Sequence, residues 1–166
     1  MDFELKKLTL ATICNEKADA LIVLIPEGFA GGDDPMSTLA ALALQSGDLE
    51  AKPGKLLSAY RTPGIAAPRV LLVGVGDASA KSVRTAISAA VGALKTCNVQ
   101  RAIVCLSALQ EPSPEIVRAA VVACSEAVYA YGTTKSKPSP SKLQRITLGV
   151  GTTAGVKAGF DKGVGL

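Results

Sequence analysis

Arg69-Val-Leu-Leu-Val-Gly-Val75 decides the fold. It is apolar at consecutive positions, so both of its faces are buried. That pattern belongs to a strand inside a sheet covered on both sides. Gly74 and Gly76 close it, and Asp77 or Ser79 then caps a helix. Val83, Ala86, Ile87, Ala90, Val91 and Leu94 follow at helical spacing. Residues 99–106 form another buried strand, centred on Ile103, Val104 and Cys105.

Ser113-Pro114-Glu115 starts a second helix with a cap, a first-turn proline and an acid at the positive end of the dipole. Its apolar stripe is Val117, Ala120, Val121, Cys124, Val128 and Tyr131, and Gly132 is expected to stop it. A polar Lys/Ser/Pro loop spans 133–142, and residues 143–150 form a final strand. Thr152 or Thr153 is placed to cap a last helix, which the chain leaves unfinished at Leu166. This alternation implies right-handed crossovers and a largely parallel sheet with helices on both faces.

Upstream the reading continues. Phe3, Leu5, Leu8 and Leu10 alternate as in a half-buried strand, with an irregularity at Lys6-Lys7. Asp19 to Ile25 is a buried strand ended by Pro26. A glycine-rich loop covers 27–35, and a short helix over 36–44 is closed by Gly47. Residues 54–60 form a weakly patterned strand, and 61–68 a Pro/Gly turn. The predicted fold class is α/β: a three-layer α/β/α sandwich with a mixed, largely parallel sheet. No internal repeat or internal boundary is visible.

The 166 residues suit one domain, which buries roughly 70% of its unfolded surface at this size. A 19% charged fraction and a net charge of +4 exclude a disordered chain. No apolar run reaches the ~18 residues of a membrane span. The start, MDFELKKLTL, mixes charges with apolar residues, so no signal peptide is expected there. The expected location is the cytoplasm, with no membrane contact.

Histidine is absent, which removes Ser-His and Cys-His nucleophile pairs and histidine metal ligands. Cysteines 14, 97, 105 and 124 form no CxxC pair, so no zinc ribbon or thioredoxin motif exists. Cys105 and Cys124 read as small core residues.

Three features invite a chemical reading. Gly74-Val-Gly76 sits where a dinucleotide-binding turn would, but Ser79 stands in place of the third glycine and no acid ends the next strand. A tight strand-to-helix turn is the favoured account. Asp33 and Asp34, like Asp48 and Glu50, are acids in loops with too few neighbours to hold a metal, and read as solvated. Lys135, Lys137, Lys142 and Arg145 form a basic stretch, KSKPSPSKLQR, able to contact phosphates. No aromatic interleaves, so base stacking is unsupported and a solvated loop is the simpler account. Residue chemistry alone gives no catalytic, cofactor or metal site in this chain.

The stretches MDFELKKLTL, ADALIVLIPEG, GIAAPRVLLVGVGD, KLQRITLGVG and AGVKAGFDKGVGL, in this order, resemble the N-terminal domain of the leucyl aminopeptidase family, of the bacterial aminopeptidase A type. The resemblance runs the length of the chain. It implies a macro-like domain over 1–150 and, over 151–166, the start of a helix linking to a catalytic domain absent from this chain. That domain would hold two divalent metals, manganese or zinc, and carry a signature like Asn-Thr-Asp-Ala-Glu-Gly-Arg. It would remove N-terminal amino acids from peptides.

The resemblance thus implies a structural and assembly role here, with the catalytic domain of the same polypeptide as partner and a homo-hexamer as the full-length assembly. Two alternatives follow from it. One is a stand-alone nucleotide- or ADP-ribose-binding module. Against it, the strand begun by Asp19 continues in apolar residues rather than an asparagine-rich turn. The other is DNA binding, since some relatives are DNA-binding regulators and the 135–145 stretch is basic. The open helix pattern at 154–166 leads us to expect that the chain is a fragment.

Overall fold

The computed structural model describes residues 2–29, 32–94, 99–107, 109, 114–133 and 145–150. Six strands form one sheet: β1 (Asp2–Lys7), β2 (Ala20–Pro26), β3 (Leu56–Tyr60), β4 (Arg69–Gly76), β5 (Arg101–Cys105) and β6 (Arg145–Val150). Three helices accompany them: α1 (Pro35–Ser46), α2 (Ala80–Leu94) and α3 (Pro114–Thr133). The strand order is β1-β6-β5-β2-β4-β3. Every pairing is parallel except β3 with β4, which is antiparallel. The mixed, mostly parallel α/β sandwich expected from the sequence is the one found.

Alternation in the central strands divides the core in two. Ile22, Leu24, Leu71, Val73 and Val104 face one side and pack against the stripes of α2 and α3. Leu21, Val23, Ile25, Val70, Leu72 and Ile103 face the other side and meet Met36, Ala40 and Ala43 of α1. β2 is buried along residues 20–25 because both layers cover it. Alanines 86, 90, 120 and 123 line the first layer, and small side chains let helices approach closely.

Several boundaries differ from expectation, each for a local reason. The first strand ends at Lys7 rather than at residue 10. Thr9 and Thr12 there exchange amide-to-hydroxyl bonds of 2.7 and 3.1 Å, which start a 3-10 turn over Thr12–Asn15. Leu8 is still buried and donates its amide to the Val150 carbonyl. The third strand starts at Leu56, not Gly54, because Gly54 adopts φ +85° and the Lys55 amide turns back to the Lys52 carbonyl. The fourth starts as expected, while β5 is trimmed to Arg101–Cys105 with Val99 and Leu106 buried at its flanks. α3 continues through Gly132 to Thr133, since an interior glycine costs a helix only about 1 kcal/mol.

Gly47 ends α1 in the left-handed conformation, φ +82°. The expected cap Ser113, the strand start at 143–144 and the helix over 151–166 lie outside the described residues. No helix among the described residues is long and apolar enough to cross a membrane.

Candidate functional site

In a parallel α/β sheet, ligands bind outside the carboxyl ends of the strands. Here that place, after β4, is the turn Gly74–Gly76. Residues 50–55 of the chain already fill it. The Gly76 amide donates to the Ala51 carbonyl at 2.9 Å, and the Gly74 amide to the Lys55 carbonyl at 2.9 Å. A β-carbon on Gly74 would lie 2.6 Å from the Glu50 carbonyl oxygen and 2.7 Å from the Lys52 nitrogen. Gly76, at φ +57°, would meet the Pro53 ring at 2.9 Å. Gly74 therefore serves a close backbone approach and Gly76 a left-handed turn against the Pro53 ring, and their amides are not left for a phosphate. Asp77 continues the turn by accepting from the Ser79 amide at 3.1 Å and the Ser82 hydroxyl at 2.8 Å. The Ser79 hydroxyl accepts from the Ser82 amide, so both expected caps of α2 act together.

The acids of the glycine-rich loop are not converged. Asp34 is the N-cap of α1, accepting from the Ser37 amide at 2.8 Å and the Ser37 hydroxyl at 2.7 Å. Pro35 follows at the first helical position. Asp48 accepts from the Ser46 hydroxyl, and Glu50 lies 3.7 Å from Lys52 on the surface. Among the described residues no group of three or more Cys, Asp or Glu is placed to hold a metal ion. Two-metal hydrolysis needs such a carboxylate cluster. The donors present do not fit that centre, and no hydrolytic step can be derived from them.

The three thiols among the described residues are equally unsuited to chemistry, and Cys97 lies outside those residues. Cys14, Cys105 and Cys124 are buried and free. Burial pushes all three thiols up, Cys124 to about 12. A thiolate nucleophile needs the opposite shift.

Asp19 stands at the amino end of β2. Its Oδ2 accepts from the Gln100 amide at 2.9 Å and the Arg101 amide at 3.0 Å, tying β2 to the start of β5. Beside it an open pocket of about 400 Å³ is lined by Lys17, Ala18, Asp19, Ala66, Gln100 and Arg101. A smaller groove of about 120 Å³ adjoins it and takes in Lys6, Glu16 and Arg145. Arg145 is exposed at the start of β6 and lies in register with Arg101. Lys6 forms a 2.8 Å ion pair with Glu16, whose hydrogen bond raises the lysine pKa. Of the four basic residues read from the sequence, Arg145 is placed in this groove, which four cations and the two acids Glu4 and Glu16 line. Lys135, Lys137 and Lys142 lie outside the described residues.

Sequence reasoning did not find the partners of Arg145. Lys17 and Arg101 are distant in the chain, and only the parallel register of β5 and β6 brings Arg101 beside it. It also missed Tyr60, an exposed ring flanked by Arg61 and Arg69. The weak period-2 pattern of the third strand was the available signal.

Comparison with known proteins decides the family. The sequence model of the cytosol aminopeptidase family, N-terminal domain, matches residues 29–138. The chain belongs to that family, as its N-terminal domain. The probable cytosol aminopeptidase of Polaromonas naphthalenivorans (strain CJ2) is 69% identical over 167 residues, covering 100% of this chain and 33% of the relative. That of Verminephrobacter eiseniae (strain EF01-2) is 49% identical, covering 100% of this chain and 32% of the relative. The chain thus spans about a third of the length of the curated relatives it matches.

Solved structures agree on the fold of this family domain. A mutant of tomato leucine aminopeptidase superposes with a TM-score of 0.73 at 19% identity, over 99% of this chain and 35% of that one. The Trypanosoma brucei macrodomain in complex with ADP-ribose gives 0.68 at 13% identity, over 98% of this chain and 68% of that one. The macro-like layering that the family resemblance implies is therefore the layering of these proteins.

Proposed function

We propose that this chain is the non-catalytic N-terminal domain of a cytosolic leucyl aminopeptidase. The observation that carries the reading is the 69% identity along the whole chain to a probable cytosol aminopeptidase three times its length. In this reading residues 1–150 form the macro-like domain and 151–166 begin the helix to the catalytic domain. That partner domain, in the same polypeptide, supplies two divalent metals, manganese or zinc, and removes N-terminal amino acids from peptides. The domain described here braces it and contributes to a homo-hexamer. Two features support an accessory role: the filled Gly74–Gly76 turn and the dispersed carboxylates.

The test is hydrolysis of leucine p-nitroanilide by the purified 166-residue chain, supplied with manganese or zinc. No turnover is expected. Turnover that copurifies with the folded chain would overturn the reading.

A second reading, DNA binding by an accessory domain, has one observation in its favour. Arg145 shares a groove with Arg101, Lys17 and Lys6, four cations against the two acids Glu4 and Glu16, an excess that favours phosphates. A gel shift with random duplex at low salt tests it. Binding that survives alanine at Lys135, Lys137, Lys142 and Arg145 would sink the basic-stretch version. For ADP-ribose, calorimetry is the discriminating measurement, and the occupied amides of Gly74 and Gly76 favour silence.

A further inference from the structure

Strand β3 closes one edge of the sheet. Its hydrogen-bonding phase is fixed at both ends. The Gly74 amide donates to the Lys55 carbonyl, and the Arg61 amide to the Pro68 carbonyl. Pairing alternates along an antiparallel ladder, so Leu57 and Ala59 bond inward to β4. Leu56, Ser58 and Tyr60 turn their N–H and C=O groups outward. Among the described residues no strand pairs with that side.

Natural edge strands are commonly blunted by an internal lysine, a proline or a bulge. β3 reads Leu-Leu-Ser-Ala-Tyr, and its register with β4 is unbroken. The cations stand at its ends instead: Lys55 before it, Arg61 after it, and Arg69 directly opposite Tyr60. Tyr60 is 61% exposed. The Arg61 and Arg69 guanidinium carbons lie 5.4 and 5.2 Å from its ring centroid. Arg61 holds φ +56°, a conformation non-glycine residues seldom adopt and one that clusters at binding sites.

We propose that the outer edge of β3 docks an extended acidic peptide segment. The segment adds a seventh strand through Leu56, Ser58 and Tyr60. Its carboxylates meet Arg61 and Arg69, which the Tyr60 ring holds in place. The charge pattern chooses this occupant over a second copy of the chain. Two β3 strands paired antiparallel about Ser58 would set Lys55 opposite Arg61 of the other copy, and like charges facing each other across a ladder repel.

The probe is the peptide acetyl-Thr-Val-Glu-Val-Glu-Thr-amide, titrated into the 15N-labelled 166-residue chain at low salt and followed by NMR. Saturable amide shifts are expected at Leu56, Ser58 and Tyr60, fading as salt rises. The analogue with lysine for glutamate should leave them unmoved. Ser58→Pro removes one outward N–H and spares the inward ladder, a position where an edge strand tolerates proline. It should abolish the shifts. Should that variant fail to fold, Arg61→Gln with Arg69→Gln leaves the backbone intact and is expected to weaken binding about tenfold or more through loss of charge-assisted contacts. Absence of shifts at millimolar peptide, equal binding of the lysine analogue, or dimerisation of the chain through β3 would each overturn the proposal.

Discussion

Gly74 lies against the backbone of Lys52 so closely that no β-carbon fits between them. That contact seats residues 50–55 on the end of β4, where a nucleotide phosphate would otherwise approach. It also yields a stability prediction. Gly74→Ala must displace backbone, and such overpacking is expected to cost about 3 kcal/mol. Gly149→Ala is the control. The atoms its β-carbon would meet first belong to the Leu8 side chain, at 3.0 Å and beyond, and not to backbone. A cost of about 1 kcal/mol or less is expected there. Urea denaturation of both variants checks the contrast, and equal losses would refute it.

Asp34, read from the sequence as a solvated loop acid, is instead a helix cap. Its carboxylate is committed to the Ser37 amide and hydroxyl. Asp34→Ala should cost about 1 kcal/mol, and Asp34→Asn a fraction of that, because asparagine caps nearly as well. Thermal melts should show the same ranking with and without manganese. A metal-dependent melting temperature lost in Asp34→Asn would make this residue a metal ligand and contradict the capping account.

Asp77 gives the pH dependence. The Ser79 amide first, then the Ser82 hydroxyl, hold its carboxyl below the ordinary value of 3.8. A depressed folded-state pKa contributes stability that is complete above the unfolded value. It is lost as pH falls through the folded one. The native chain should therefore lose more stability than Asp77→Asn on acidification below 3.8. Melting temperatures across that window test this, and parallel curves would show that the bonds give no charge-dependent stability.

Thiol labelling follows from burial. With Cys14, Cys105 and Cys124 enclosed and their thiols shifted upward, the native chain should give at most one labelled cysteine of four with Ellman's reagent at mildly alkaline pH. All four should react after unfolding. Mass spectrometry assigns the sites, and labelling of two or more in the native state would contradict the packing.

Much of the fold was legible because its central strands are buried on both faces. Ala20–Ile25 and Val70–Val75 carry unbroken apolar runs, which few other structures explain. The capped helices were legible for similar local reasons: Asp77 with Ser79, and Gly47 at a stop. Edge elements were less so. β3 is half exposed, so its period is faint, and the 3-10 turn at Thr12–Asn15 arises from two threonines bonding each other rather than from any apolar spacing. The candidate sites were hidden for a different reason. Gly74 with Lys52, Arg145 with Arg101, and Tyr60 with Arg69 are relations of register and topology. No one-dimensional pattern encodes them.

The central claim is that this domain accompanies a metallo-aminopeptidase domain in one polypeptide. The most direct measurement is the coding sequence beyond codon 166. The account predicts an in-frame continuation through a helix to a stretch resembling Asn-Thr-Asp-Ala-Glu-Gly-Arg. A stop codon directly after Leu166, in the intact gene, would contradict it and leave a stand-alone macro-like domain.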